Sequence, residues 1–260
     1  MHSTVVFGDV HLHWKAVKVI LDHARGVGIE KALTLGDEAN AVFPQKITDW
    51  EEIARVWHEL KAYRDEKNAR ELVCTLGDKT DALEPDIFRN FVGVDAYGRR
   101  PNRARAIIHE RQTEHENVLA GHRGEDILKA YGPYITYYRE SCDQRLPPLV
   151  IFHGHSHSMG VLSEYKFLHR HEFVDHVAGE ERYELENGKV YWVNPGAQFH
   201  EVRNGHRLMA ANFAVYEPRG HVVTLKTLLY DPERIQPSQR FSEPRRRSSH
   251  RARENREIAF

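Results

Sequence analysis

The chain has 260 residues, of which 40% are hydrophobic and 29% charged, a balance typical of a globular protein rather than a disordered one. Its 37 basic and 38 acidic residues nearly cancel, so bulk charge indicates neither a nucleic-acid nor a membrane partner. The 2 cysteines are too few for a secreted disulfide framework, and no run of about 18 apolar residues could span a bilayer. Because no signal peptide precedes the first apolar run, we expect a soluble, cytoplasmic protein.

Short apolar runs alternate with helical patterns along the first 150 residues. The predicted strands are 4–7, 32–35, 72–76, 117–120 and 149–152. Apolar periodicity predicts helices over 14–24, 50–63 and 126–138. Beyond residue 157 the pattern changes to strands at 190–193, 208–216 and 221–230, of which the last two form a hairpin. This order predicts an α/β fold in which βα units and antiparallel strands share one domain.

The domain is expected to span residues 1–236, with two less regular segments inside it. Segment 80–115 reads as an insertion or cap, with a helix at 103–116, and segment 163–189 reads as an irregular excursion. Residues 237–260 form a flexible Arg-rich tail, in which seven arginines and three glutamates give a net charge of +4. A solvated tail is the simpler interpretation, and a nucleic-acid partner bound through the tail is the alternative.

Polar side chains of one chemical kind follow the early predicted strands. Five strands each deliver Asp or His next to a glycine at the carboxyl end: Asp9 and His11; Asp37; Asp78; His122; His155 and His157. The carboxyl ends of strands in an open α/β sheet line one crevice, so these groups converge in space. A single glycine next to Asp or His after a strand is commonly a simple turn, but its repetition after five successive strands predicts a metal site. Mixed carboxylates and imidazoles suit Mn²⁺, Fe or Zn²⁺.

This order of motifs resembles the calcineurin-like metallophosphoesterase superfamily. Its D-x-H, G-D and G-H-x-H motifs correspond to Asp9-Val10-His11, Gly36-Asp37 and Gly154-His155-Ser156-His157. The turn Asn194-Pro195-Gly196-Ala197 resembles one found in many bacterial members. The resemblance covers residues 4 to 200, and it implies a single-domain, four-layer α-β-β-α sandwich of two mixed sheets with two divalent metal ions (Mn, Fe or Zn) at the sheet ends.

The resemblance also implies a distribution of ligands. Asp9, His11, Asp37 and His157 would hold the first metal, and Asp37 would bridge to the second, which also takes His155. A shared carboxylate offsets the repulsion of two cations about 3.5–4 Å apart.

The chain departs from the family pattern because it contains no Gly-Asn-His motif. The best positional match is Gly77-Asp78-Lys79-Thr80, in which Asp78 replaces the metal-binding Asn and Lys79 stands where the family has its general-acid His. His122 then becomes the family's lone His, a ligand of the second metal. The other alignment takes Ala120-Gly121-His122-Arg123 as the altered motif. Asn40, in place of the second Asp of G-D-x-x-D, is expected to support the site through hydrogen bonds.

The activity implied is metal-dependent hydrolysis of phosphate esters by a metal-bridging hydroxide. A lysine with an ordinary pKa near 10.4 is a poor general acid, so the resemblance and Lys79 together predict a preference for phosphodiesters or activated phosphomonoesters. Two alternatives remain open. The fold could serve as a catalytically weak binding scaffold, as the loss of Gly-Asn-His suggests, or as a nuclease that uses the basic tail.

Overall fold

The structure, a computed structural model, describes residues 3–37, 50–64, 71–74, 117–141, 143–164, 178–198, 201–203 and 207–238. The predictions for segment 80–115 and for the tail beyond residue 238 lie outside the described residues. Among the described residues, no helix combines the length and apolar character that a bilayer span requires.

Three helices and eleven strands make up the described part of the chain. The helices are α1 (Trp14–Gly26), α2 (Trp50–Arg64) and α3 (Gly124–Ser141). The first six strands are β1 (Thr4–Phe7), β2 (Lys31–Thr34), β3 (Glu71–Cys74), β4 (Val118–Gly121), β5 (Leu149–His153) and β6 (Gly160–Leu162). The others are β7 (Gly179–Glu184), β8 (Val190–Asn194), β9 (Glu201–Arg203), β10 (Arg207–Glu217) and β11 (Val222–Tyr230).

The described strands form two mixed sheets. The first has the order β3-β2-β1-β10-β11-β7, with β9 beside β10, and the second has the order β4-β5-β8-β6. Strands β1, β2 and β3 are parallel, as are β4, β5 and β8, whereas β10 runs antiparallel to β1 and β6 antiparallel to β8. Each sheet therefore has parallel strands whose carboxyl ends share one edge.

Alternation along the strands explains how the layers stack. In β1, Val5 and Phe7 pack in a core with α1 and α2, whereas Val6 belongs to the core between the two sheets. In β5, Ile151 packs with α3 and Phe152 faces the other sheet. Side chains that alternate at period two give each sheet two apolar faces, one for helices and one for the partner sheet. The predicted four-layer α-β-β-α sandwich is confirmed.

The prediction of an irregular excursion over 163–189 is wrong for part of that segment. Residues Gly179–Glu184 form β7, an edge strand paired antiparallel with β11. Five of its six residues are exposed, and its sequence Gly-Glu-Glu-Arg-Tyr-Glu has no apolar alternation. A charged edge strand of this kind gives no period-two signal, because all of its side chains except Tyr183 are exposed to water.

The chain beyond the last strand packs back on α2. The backbone N–H and the hydroxyl of Ser238 donate to the two carboxylate oxygens of Glu59, at 2.8 and 2.6 Å, and Glu59 is fully buried. The described chain is thus held against α2 as far as its final residue.

Candidate metal centre

The loops after β1 and β2 are fastened to each other by their backbones. The N–H of Asp9 donates to the carbonyl of Gly36 at 3.0 Å, and the N–H of His11 donates to the carbonyl of Asp37 at 2.8 Å. The side chains of Asp9, His11 and Asp37 are all buried. Parallel pairing of β1 with β2 therefore brings two carboxylates and an imidazole to one sheet edge.

The second sheet delivers its histidines in the same way. Strands β4 and β5 are parallel, and the N–H of Gly154 donates to the carbonyl of His122 at 3.0 Å. His155 and His157 follow on the same loop and are half-buried. A Cβ at position 154 would lie 2.8 Å from Oδ2 of Asp9, so only glycine lets this loop approach Asp9 so closely.

The two sets of loops meet across the sandwich. The N–H of His155 donates to both carboxylate oxygens of Asp9, at 3.1 and 3.0 Å. Nε2 of His157 lies 3.6 Å from Oδ1 of Asp9 and 3.3 Å from Nε2 of His11. Residues from opposite halves of the chain thus share one buried cluster.

His122 completes the cluster on the side of Asp37. Its Nδ1 lies 2.9 Å from the carbonyl oxygen of Leu35, which can only accept, so Nδ1 carries the proton. Nε2 then presents a lone pair, 3.6 Å from Oδ2 of Asp37. A carbonyl that fixes the tautomer in this way is typical of histidines that bind metal through the other nitrogen.

Two groups of side chains in the described structure could each hold a metal ion. Asp9, His11 and His157 form one group, and Asp9, Asp37 and His122 form the other, with ligand atoms within 4.8 Å of one another in each. Asp9 belongs to both groups, and Oδ2 of Asp37 also lies 4.0 Å from Nε2 of His11. Such a donor set, in which carboxylate oxygens and imidazole lone pairs face each other at 3.3–4.0 Å, fits divalent cations between them.

The backbone of the cluster is strained. Seven non-glycine residues of the described chain have positive φ, and five of them are predicted ligands: Asp9, His11, Asp37, His155 and His157, with φ between 46° and 68°. A left-handed conformation costs a non-glycine residue roughly 1–2 kcal/mol. Concentrated strain persists where the surrounding structure enforces it, as at active sites and ligand clamps.

The other predicted site residues fall into two classes. His155 lies in the cluster, with its ring centroid 5.2 Å from that of His122, but its imidazole belongs to neither three-residue group. Asn40, Asp78 and Lys79 lie outside the described residues.

Two neighbouring histidines stay neutral. Burial lowers the pKa of His13 to about 4 and that of His153 to about 4. Nδ1 of His153 lies 3.3 Å from the carbonyl of Gly154, and its ring packs 5.9 Å from that of Trp192. Neither side chain therefore supplies positive charge to the site near neutral pH.

Sequence analysis missed two buried amides beside Asp9. The N–H of Gln198 donates to the carbonyl of Asp9 at 3.2 Å, and its side chain exchanges hydrogen bonds with the backbone of Asn212. Both amide side chains are completely buried. No motif marks them, because they act through the backbone fold rather than through a fixed spacing. The sequence signals are an amide within an apolar strand, for Asn212, and a position directly after the turn of residues 194–197, for Gln198.

Comparisons with known proteins find similarity only among solved structures. No family model and no curated protein matches the chain. A predicted phosphoesterase from Streptococcus pneumoniae TIGR4 aligns at 14% identity and a TM-score of 0.37, over 93% of this chain and 95% of that one. Yfce, a phosphoesterase from E. coli, aligns at 14% identity and a TM-score of 0.43, over 83% and 88%. An archaeal phosphodiesterase aligns at 13% identity and a TM-score of 0.45, over 88% and 99%.

Because the sequence identities are 13–14%, the function of this chain is inferred from its own geometry around Asp9, Asp37 and His122.

Proposed function

We propose that the protein is a hydrolase of phosphate esters that depends on two divalent metal ions. The observation that carries the proposal is the meeting of Asp9, Asp37 and His122 with His11 and His157 in two groups that share Asp9. Loops of both sheets contribute, although the predicted ligands are far apart in sequence. If these residues only formed turns, nothing in the fold would require five side chains of metal-ligand type to converge on one point.

The ligands of the first metal follow from the first group, whereas the bridging role of Asp37 comes from the family resemblance, since the residue common to both groups is Asp9. Asp9, His11 and His157 would hold the first metal, and His122 would hold the second. Asp37 is the proposed bridge, since its Oδ2 lies within 4.0 Å of Nε2 of His11 and 3.6 Å of Nε2 of His122. His155 and Asp78 are proposed as further ligands of the second metal.

Divalent cations at this position would make a water molecule acidic enough to act as a nucleophile near neutral pH and would offset the charge of the phosphoryl oxygens. The chain itself contributes orientation. The N–H of His155 fixes the carboxylate of Asp9, and the carbonyl of Leu35 fixes the ring of His122. Rigidly held ligands reduce the reorganisation that accompanies the reaction.

We further propose a preference for phosphodiesters and activated phosphomonoesters. Lys79, in place of the family's acid, would donate hydrogen bonds to a phosphoryl oxygen but would protonate a leaving alkoxide poorly. Asn40 is proposed to support the site by hydrogen bonding. A leaving group that departs without a proton is then the better substrate.

The test compares bis-p-nitrophenyl phosphate with an alkyl phosphomonoester in the presence of Mn²⁺. We expect the diester to be hydrolysed faster, and expect chelation to abolish hydrolysis of both. Faster cleavage of the alkyl monoester would overturn the substrate preference. Undiminished turnover in chelator-treated protein would overturn the metal dependence.

The missing Gly-Asn-His motif favours a second candidate, a scaffold that retains the fold with little catalysis. Such a protein would bind metal but turn over no substrate in a broad phosphatase screen. Elemental analysis combined with that screen separates the two: metal with turnover supports the enzyme, and metal without turnover supports the scaffold.

A further inference from the structure

The turn of residues 194–198, which begins at the last residue of β8, lies between the two sets of candidate ligand loops. It begins with Asn194 and ends with Gln198, whose side chains are 3% and 0% exposed. Buried amides must have hydrogen-bond partners, and the partners of these two are informative.

Asn194 fastens the loop of the second sheet. Its Nδ2 donates to the hydroxyl of Ser156 at 2.7 Å and to the carbonyl of Gly154 at 3.4 Å, while its Oδ1 accepts from the N–H of Gly196 at 2.8 Å. Ser156 lies between His155 and His157, both of which have positive φ. One buried side chain thus holds the residues on both sides of His155 in a strained ligand loop.

Gln198 fastens the loop of the first sheet. Its backbone N–H donates to the carbonyl of Asp9 at 3.2 Å, and its Nε2 donates to the carbonyl of Gly8 at 3.4 Å. Its amide also exchanges two hydrogen bonds with the backbone of Asn212, on β10.

The turn is itself anchored. The amide of Asn212 donates to the carbonyl of Ala197 at 2.8 Å and accepts from the hydroxyl of Thr227 at 2.8 Å. Gly196 has φ +83°, and a Cβ there would lie 3.3 Å from Cβ of Asn212. The turn is therefore a rigid connection between the sheets at the level of the ligands.

We propose that Asn194 and Gln198 are positioning residues that hold the two ligand loops at the separation that metal binding requires. The inference rests on the proposed function, because it concerns the same site. Strained loops relax when their restraints are removed, and the loop of His155 and His157 has the side chain of Asn194 as a restraint. Loss of a side chain that orients ligands typically weakens metal affinity about 10–100-fold.

The experiment measures Mn²⁺ affinity by isothermal titration calorimetry for Asn194→Ala, with Asn117→Ala as the matched control. Asn117 donates to the hydroxyl of Tyr138 at 2.9 Å and lies at the opposite end of β4 from His122. We expect Asn194→Ala to lower Mn²⁺ affinity at least about tenfold. Asn117→Ala should leave that affinity unchanged, even if both variants lose stability to a similar degree in EDTA.

A second pair of variants keeps the inference testable if Asn194→Ala does not fold. Ser156→Ala removes the closest acceptor of the Asn194 amide, and Ser156→Thr keeps a hydroxyl. We expect the alanine variant to bind Mn²⁺ more weakly and the threonine variant to restore binding. A residue that only supported the fold would change the unfolding midpoint without changing Mn²⁺ affinity of the folded protein.

The outcomes distinguish the inference from the function on which it rests. Equal Mn²⁺ affinity in the wild type, Asn194→Ala and Ser156→Ala would overturn the positioning role while leaving the proposed function intact. If the wild type itself binds no Mn²⁺, the proposed function fails and the inference fails with it.

Discussion

Individual side chains at the candidate metal centre are held by the backbone of neighbouring loops. The carboxylate of Asp9 accepts from the N–H of His155, and the ring of His122 donates to the carbonyl of Leu35. These partners fix the direction of the ligand atoms before any metal arrives. A small displacement of the backbone near Asp9 should therefore lower metal affinity strongly, because it moves the ligand atoms.

Gly154→Ala tests this directly. The new Cβ would lie 2.8 Å from Oδ2 and 3.4 Å from Cγ of Asp9, so the carboxylate must move. We expect a loss of Mn²⁺ affinity of about tenfold or more, measured by calorimetry.

Gly160→Ala is the control, because a Cβ at that position meets nothing within 4 Å. Its Mn²⁺ affinity should equal that of the wild type. Wild-type affinity in Gly154→Ala would mean that the position of the Asp9 carboxylate does not matter for binding.

The candidate ligands that follow a strand and a glycine could be predicted from sequence. The carboxyl ends of parallel strands meet at one edge of a sheet, and this does not depend on the conformation of the connecting loops. The residues that hold those ligands in place by hydrogen bonds could not be predicted from sequence. Gln198 bonds to the backbone of Asp9 and to that of Asn212 on β10, so neither amide has a fixed spacing that relates it to Asp9.

At the scale of elements, apolar periodicity predicted the buried helices and central strands and failed at the edge. Strand β7 is charged and largely exposed, and of its side chains only Tyr183 packs against the core between the sheets, so it has no apolar face for a sequence pattern to reveal. The hairpin of β10 and β11 was predictable, because Pro218 and Gly220 mark its turn.

That turn contains a strained residue. His221 has φ +50°, and its N–H donates to the carbonyl of Pro218 at 3.4 Å. Glycine adopts this conformation without the steric cost, although it loses more conformational entropy on folding than histidine does. His221→Gly should therefore give a net increase of about 0.5–1 kcal/mol in the free energy of unfolding. Chemical denaturation measures the change.

Arg219→Gly, an exposed change in the same turn without positive φ, should instead lower the free energy of unfolding. Destabilisation of His221→Gly to the same degree as Arg219→Gly would contradict the assignment of strain to position 221.

The packing of α1 on the first sheet should be visible in the titration of His23. Burial, and next the Lys226 ammonium, hold the pKa of His23 below its ordinary 6.5, while Glu180 opposes them. Because the folded pKa lies below the unfolded one, the neutral form contributes its full stability above pH 6.5, and this contribution is lost as the pH falls below that value.

We expect NMR titration to give His23 a pKa below 6.5, and expect Lys226→Gln to raise it. Lys18→Gln, on the same helix, serves as the control, since Lys18 pairs with Asp22. An unchanged pKa in Lys226→Gln would show that Lys226 has no electrostatic effect on His23.

At the scale of the whole molecule, the candidate centre joins the two sheets. Asp9, His11 and Asp37 come from the first sheet, and His122 and His157 come from the second. The four-layer sandwich brings these loops together because the parallel strands of both sheets end on the same side. The strand order and the motif order together made that arrangement predictable, whereas the distances within the cluster depend on loop conformations that no local pattern encodes.

The most direct test of the account is the metal content of the protein, measured by elemental analysis after loading with Mn²⁺ and desalting. We predict about two equivalents per wild-type chain, and loss of metal and of turnover together in Asp37→Ala. Asp143→Ala, whose carboxylate binds only the nearby Arg145 in the described structure, should retain both. A wild type without bound metal, or an Asp37→Ala variant with undiminished hydrolysis, would contradict the account.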